Sequence, residues 1–155
     1  MSANSAAIHA LRKAGKDFSW EATLRLPYKE EGAAPFKAIS RQTLFSDPRM
    51  AGELRYFEIA PGGYSTLERH AHMHGVVVLR GGGQCLIGTA VNAIRPHDLV
   101  MIEPWTWHQF RAGPADCLGF LCLVNRERDK PQLPQPEDLA LLRAIPEVAR
   151  FLDGG

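Results

Sequence analysis

The stretch Pro61-Gly62-Gly63-Tyr64-Ser65-Thr66-Leu67-Glu68-Arg69-His70-Ala71-His72-Met73-His74-Gly75-Val76-Val77-Val78-Leu79-Arg80-Gly81 decides how this chain is read. Three of the six histidines fall inside it, and a fourth, His108, stands in Trp105-Thr106-Trp107-His108-Gln109-Phe110. Residues 68, 70, 72 and 74 share one parity. Side chains alternate faces along a strand, so a strand over Tyr64 to His74 projects Glu68, His70, His72 and His74 to one side. Imidazoles and a carboxylate on one face suit one divalent transition metal: iron, manganese, nickel, copper or zinc.

Outward from this run, short apolar or β-branched stretches recur with turn residues between them. Ile39 to Phe45, Glu53 to Ala60, Val76 to Leu79, Gln84 to Ile87, Ala90 to Ile94, Leu99 to Ile102, Trp107 to Arg111 and Cys117 to Val124 read as strands. Pro61-Gly62-Gly63 closes the second. Gly81-Gly82-Gly83 turns without a helix after it, so it is no phosphate loop. Gln84 to Ile94 reads as a hairpin around Gly88. Many short strands with no helices between them predict an all-β sandwich or barrel. Three parts follow: 1–37, an N-terminal arm and wrapping segment with a short helix expected over Ala6 to Lys13; 38–128, the barrel; and 129–155, a proline-rich linker and C-terminal helices. Pro136-Glu137-Asp138 opens a helix, because proline suits the first helical position and acids the N-terminal dipole. Leu139, Leu142 and Ile145 share a face, which Val148, Phe151 and Leu152 continue.

Composition narrows the function. The 155 residues carry 18 basic and 17 acidic side chains, net charge +1. This balance gives no support for nucleic-acid binding or a basic membrane surface. No run reaches the roughly 18–20 apolar residues of a membrane span, and the N-terminus lacks the pattern of a secretory signal. Three cysteines without a CxxC pair, Cys85, Cys117 and Cys122, read as small core residues in a reducing cytoplasm. His9 and His97 read as surface residues, and Trp105 and Trp107 as packing under the tail or at a subunit contact.

The same residues resemble the cupin superfamily. Its first motif is G(X)5HXH(X)3–4E(X)6G, and Gly62, Glu68, His70, His74 and Gly81 fit that spacing without a gap. The ligand types are permuted: glutamate stands at the first histidine and histidine at the glutamate. The second motif, G(X)5PXG(X)2H(X)3N, finds its histidine at His108. It departs elsewhere, with His97, Glu103, Trp105 and Ala112 at its other positions. The resemblance covers residues 50–125. It implies a double-stranded β-helix, a jelly-roll barrel, with the metal inside one mouth. Register on the glycines implies Glu68, His70, His74 and His108 as metal ligands. Had His70-Ala71-His72 been the HXH pair, the third ligand would fall on Val76, which cannot bind metal. His72 then falls between ligands, as a fifth ligand, a donor to one, or the general base. Arg55, Tyr56 and Phe110 are the substrate-binding candidates, Phe110 reading equally as core packing; Arg41 lies on a preceding strand like Arg55, and whichever arginine turned inward would suggest a carboxylate substrate.

Two function classes follow. One is a metal-dependent enzyme on a small oxygenated substrate, a dioxygenase first, an isomerase or decarboxylase second. The other is a non-catalytic small-molecule binder or sensor with a structural metal. A homodimer is expected from the family resemblance.

Overall fold

A computed structural model describes residues 11–30 and 32–154. Nine strands form one strongly curled antiparallel sheet: β1 (Leu26–Pro27), β2 (Lys37–Ser46), β3 (Gly52–Tyr64), β4 (His74–Gly81), β5 (Gly83–Ile87), β6 (Ala90–Ile94), β7 (Leu99–Ile102), β8 (His108–Ala112) and β9 (Leu118–Asn125). Their order is β6-β5-β8-β3-β9-β4-β7, with β2 also on β3 and β1 on β2. The fold is all-β, a double-stranded β-helix followed by α1 (Pro136–Arg143) and α2 (Pro146–Leu152).

Alternation builds the interior. On β9, Leu118, Phe120, Cys122 and Val124 turn inward, while Leu123 and Asn125 face solvent. They meet Phe57 and Ile59 of β3, Val76 and Val78 of β4, Val100 and Ile102 of β7 and Phe110 of β8. A second cluster lies outside the barrel, where Leu142, Val148 and Phe151 of the two helices close over Leu67 and Leu86. Trp107 and Leu139 pack against it. The helices thus cover the barrel's outside by the face read from the sequence. Pro136 opens α1, and the Gln135 N–H donates to Asp138 Oδ2 at 2.8 Å.

The two motif glycines have physical reasons. Gly62 adopts φ +76° inside β3, and its N–H donates to the Gly113 carbonyl at 2.9 Å. Gly81 adopts φ +66°, and a β-carbon there would stand 1.7 Å from the Cys117 carbonyl oxygen. At Gly81 only glycine meets both the positive φ and the close approach, while at Gly62 it meets the positive φ at least cost.

Two strand expectations are corrected. Pro61-Gly62-Gly63 does not end β3: the strand continues through Gly62, pairing β2 and β9 before it and both β2 and β8 at Tyr64. Nor does the expected strand from Tyr64 to His74 form: Tyr64 ends β3, His74 begins β4, and residues 65–73 lie in neither. Between β3 and β4 only isolated bridges remain, Glu68 to His108 and Arg69 to Gln132. The Ala71 and His72 N–H groups donate to the Asp129 carboxylate at 2.8 and 3.0 Å, so that stretch has no ladder partner. The helix expected over Ala6 to Lys13 lies largely outside the described residues; Leu11 to Lys13 carry none.

Candidate metal centre

The histidines converge without strand parity. The Glu68–His108 bridge exchanges two backbone hydrogen bonds, of 3.2 and 3.0 Å, which sets those side chains abreast. The His70 carbonyl accepts the Trp105 N–H at 2.8 Å, holding the loop down on the segment before β8. His74 is the first residue of β4, between Val124 and Ile102. Two overlapping groups result: Glu68, His70 and His108, and His70, His72 and His74, each with ligand atoms within 4.8 Å of one another. Glu68, His70 and His108 are all buried. Their triad is able to hold a metal ion.

Hydrogen bonds prepare the nitrogens for that task. His70 Nδ1 lies 2.7 Å from the His72 carbonyl, and His108 Nδ1 lies 2.9 Å from the Thr106 carbonyl. A carbonyl only accepts, so each Nδ1 carries the proton and each Nε2 keeps its lone pair. His70 Nε2 and His74 Nε2 face each other at 3.0 Å. Two nitrogens, each about 2.1 Å from one ion and at a right angle, stand roughly that far apart. Burial pushes His70 down to about 4, with His108 and His72 adding to it. Burial likewise pushes His74 down to about 2 and lowers His108. At neutral pH these rings are uncharged, the state a metal requires. The donor set therefore fits a divalent transition metal.

The residues around the cluster line a cavity of about 130 Å3. Glu68, His72, His74 and His108 share its lining with Arg55 and Cys122. His72 stacks on His70 with ring centroids 3.6 Å apart and planes at 3°. Its Nδ1 lies 2.7 Å from Asp129 Oδ1. The Ala71 N–H, then His72, hold the Asp129 carboxyl well below the usual range. Lys29, from the wrapping segment, forms an ion pair with Glu68 Oε2. On the opposite side His74 Nδ1 stands 3.0 Å from the Cys122 thiol, which Arg55 approaches at 3.8 Å.

Of the three substrate candidates, Arg55 and Phe110 line the cavity, Phe110 stacked on Phe120 at 4.6 Å. Tyr56 is a correction. It follows Arg55 on β3 and so faces the other side, packed on Phe18 and Trp20 with its hydroxyl on Glu58 at 3.1 Å. Arg41 also points elsewhere, to the Pro27 carbonyl. His97 is exposed at a turn, φ +78°. Lys29, Asp129 and Cys122 were missed as site residues. The β9 alternation places Cys122 on the inner face and was a usable signal. Lys29 and Asp129 come from irregular segments, where no period announces a face.

Comparison with known proteins agrees with this architecture. The Cupin domain family profile matches residues 55–122. A 1-methylthio-D-xylulose 5-phosphate methylsulfurylase from Rhodospirillum rubrum is 59% identical over 137 residues, 88% of either chain. A cupin 2 conserved barrel domain protein from Rhodopseudomonas palustris superposes with a TM-score of 0.86 at 54% identity, over 91% of this chain and 97% of that one. A cupin-2 domain protein from Rhodospirillum rubrum gives 0.85 at 56% identity, over 94% and 97%. The chain belongs to the cupin family.

Proposed function

We propose that this chain is a metal-dependent enzyme that removes the methylthio group from a methylthio keto-sugar phosphate, the class of compound named for its relative from Rhodospirillum rubrum. The observation that carries this reading is a thiol beside the histidine cluster: Cys122 Sγ lies on the cavity wall, 3.0 Å from His74. A thiolate attacking the methylthio sulfur would form a methyl disulfide as the C–S bond breaks, the electron pair passing to the neighbouring carbonyl as an enolate that takes up a proton. An external thiol would then reduce that disulfide and release methanethiol, and a second would reduce the mixed disulfide left on the cysteine. In this reading Glu68, His70, His74 and His108 hold one divalent metal, which would polarise the substrate carbonyl. The Lys29 ammonium neutralises part of the Glu68 charge. His72, with Nδ1 on Asp129, keeps Nε2 to carry a proton. Phe110 and Phe120 give the cavity an apolar wall that excludes water from the reacting end. Oxygen insertion and decarboxylation rest on the donor set alone, and the cavity thiol favours neither. All three cysteines are free, in keeping with a reducing compartment such as the cytoplasm.

The test is direct. Metal-loaded protein incubated with 1-methylthio-D-xylulose 5-phosphate should release the methylthio group in the presence of a thiol, followed by mass spectrometry. Cys122→Ser should lower turnover by several orders of magnitude, the scale of losing a catalytic nucleophile, while keeping its metal. Intact substrate after prolonged incubation with several divalent metals would overturn the reading.

A further inference from the structure

Arg55 is the least satisfied cation of the described cavity. It is 9% exposed. Its Nε is buried with no hydrogen-bond partner. Its hydrogen bond is a weak one from NH2 to the Cys122 sulfur at 3.8 Å. Its nearest carboxylate oxygen, Glu53 Oε1, stands 3.8 Å from Nε, beyond hydrogen-bonding reach, and is closer to Arg128, at 3.3 Å. The guanidinium lies over Phe57, 4.9 Å from the ring centre. The other charges of the cavity are matched: Lys29 by Glu68, Arg128 by Glu53, and Asp129 by the loop N–H groups and His72. A guanidinium has five N–H donors in a fixed fork. Burying such a group without oxygen acceptors is costly, and an arriving oxyanion relieves that cost.

We infer that Arg55 is the anchor for the phosphate of the substrate, holding it inside the barrel across Cys122 from the histidine cluster. The inference rests on the functional reading above and deepens it. Through Cys122 the guanidinium is two side-chain contacts from His74, so a short chain held by its phosphate at Arg55 brings its other end over the thiol to the histidines. Phe57 keeps the guanidinium plane in place from β3, a rigid strand, so the fork is oriented before the anion arrives. The cavity therefore selects a substrate with an oxyanion at one end and a carbonyl at the other, and disfavours neutral analogues.

The probe is inorganic phosphate, titrated into the purified full chain by calorimetry, with acetate in a second arm. Each arm is run on protein as isolated and after chelation. Wild type should bind phosphate in preference to acetate, before and after chelation. Arg55→Met should weaken phosphate binding at least about tenfold, the scale of one charge-assisted pair. Among the described residues Arg55 donates to no oxygen, and Glu53 keeps Arg128 at 3.3 Å when Arg55 is removed, so the melting temperature of Arg55→Met without phosphate should stay at or above the wild-type value. A purely structural arginine predicts a fall. Arg55→Lys, which keeps charge but not the fork, should bind with intermediate affinity. Unchanged phosphate affinity in Arg55→Met, binding abolished by chelation alone, or preference for acetate overturns the anchor. The two readings separate in turnover. Phosphate bound through Arg55 without consumption of the methylthio compound sinks the function and leaves the anchor. Consumption by Arg55→Met with unchanged KM sinks the anchor and leaves the function.

Discussion

At the residue scale the site depends on protonation and tautomer. His70 and His108 each spend Nδ1–H on a backbone carbonyl, and burial holds both rings neutral. This has a consequence for the metal-free chain. The folded-state value of His70, about 4, lies below its unfolded value near 6.5. Above about pH 6.5 neither state binds the proton, and the stabilisation is fully present. As pH falls from there towards 4, the unfolded chain takes the proton first, and the stabilisation is lost. The melting temperature of chelated protein should therefore fall between pH 6.5 and 4, and less steeply in His70→Gln. A wild-type profile no steeper than that of the variant would contradict the neutral buried ring. At this scale the sequence was half legible. The glycine register picks out Glu68, His70, His74 and His108; the structure has two triads sharing His70, one with Glu68 and His108 and one with His72 and His74. Arg55 and Tyr56 are neighbours on β3, so they cannot both face inward. Cys122 had the inward parity of Phe120 and Val124, yet a cysteine on a core strand reads as packing until its neighbours are known.

At the element scale the strands and both helices were legible because their periods and punctuation were strong. The hairpin of β5 and β6 turns at Gly88, φ +63°, and β7 occupies Leu99–Ile102, the residues of the expected strand. The segment between β3 and β4 was not legible. Its polar alternation imitates a strand, but Asp129, distant in sequence, takes two of its N–H groups. Long-range side-chain capping leaves no local signature. The helices serve the barrel from outside. Phe151 is buried in the second cluster, away from the cavity. Phe151→Ala should cost about 3–5 kcal/mol in chemical denaturation, the usual range for a buried aromatic. It should leave metal affinity unchanged. Metal loss at constant fold would mean that the helices shape the site.

At the scale of the whole molecule, one curled sheet brings the β3–β4 loop, the start of β8, the inner face of β9 and the wrapping segment to a single cavity. None of the described helices is long and apolar enough to cross a membrane. The jelly-roll architecture was legible from strand spacing and the first motif. The wrapping segment's part in the site, through Lys29 on Glu68, was not, because an extended chain with Pro27 and Pro35 has no period to read. The account stands on the histidine and glutamate cluster holding a metal. The measurement that tests it most directly is elemental analysis of purified wild type beside His70→Ala/His108→Ala, with folding checked by circular dichroism. About one divalent transition metal per wild-type chain, and none in the folded double variant, is the predicted result. Full occupancy in the double variant would contradict it.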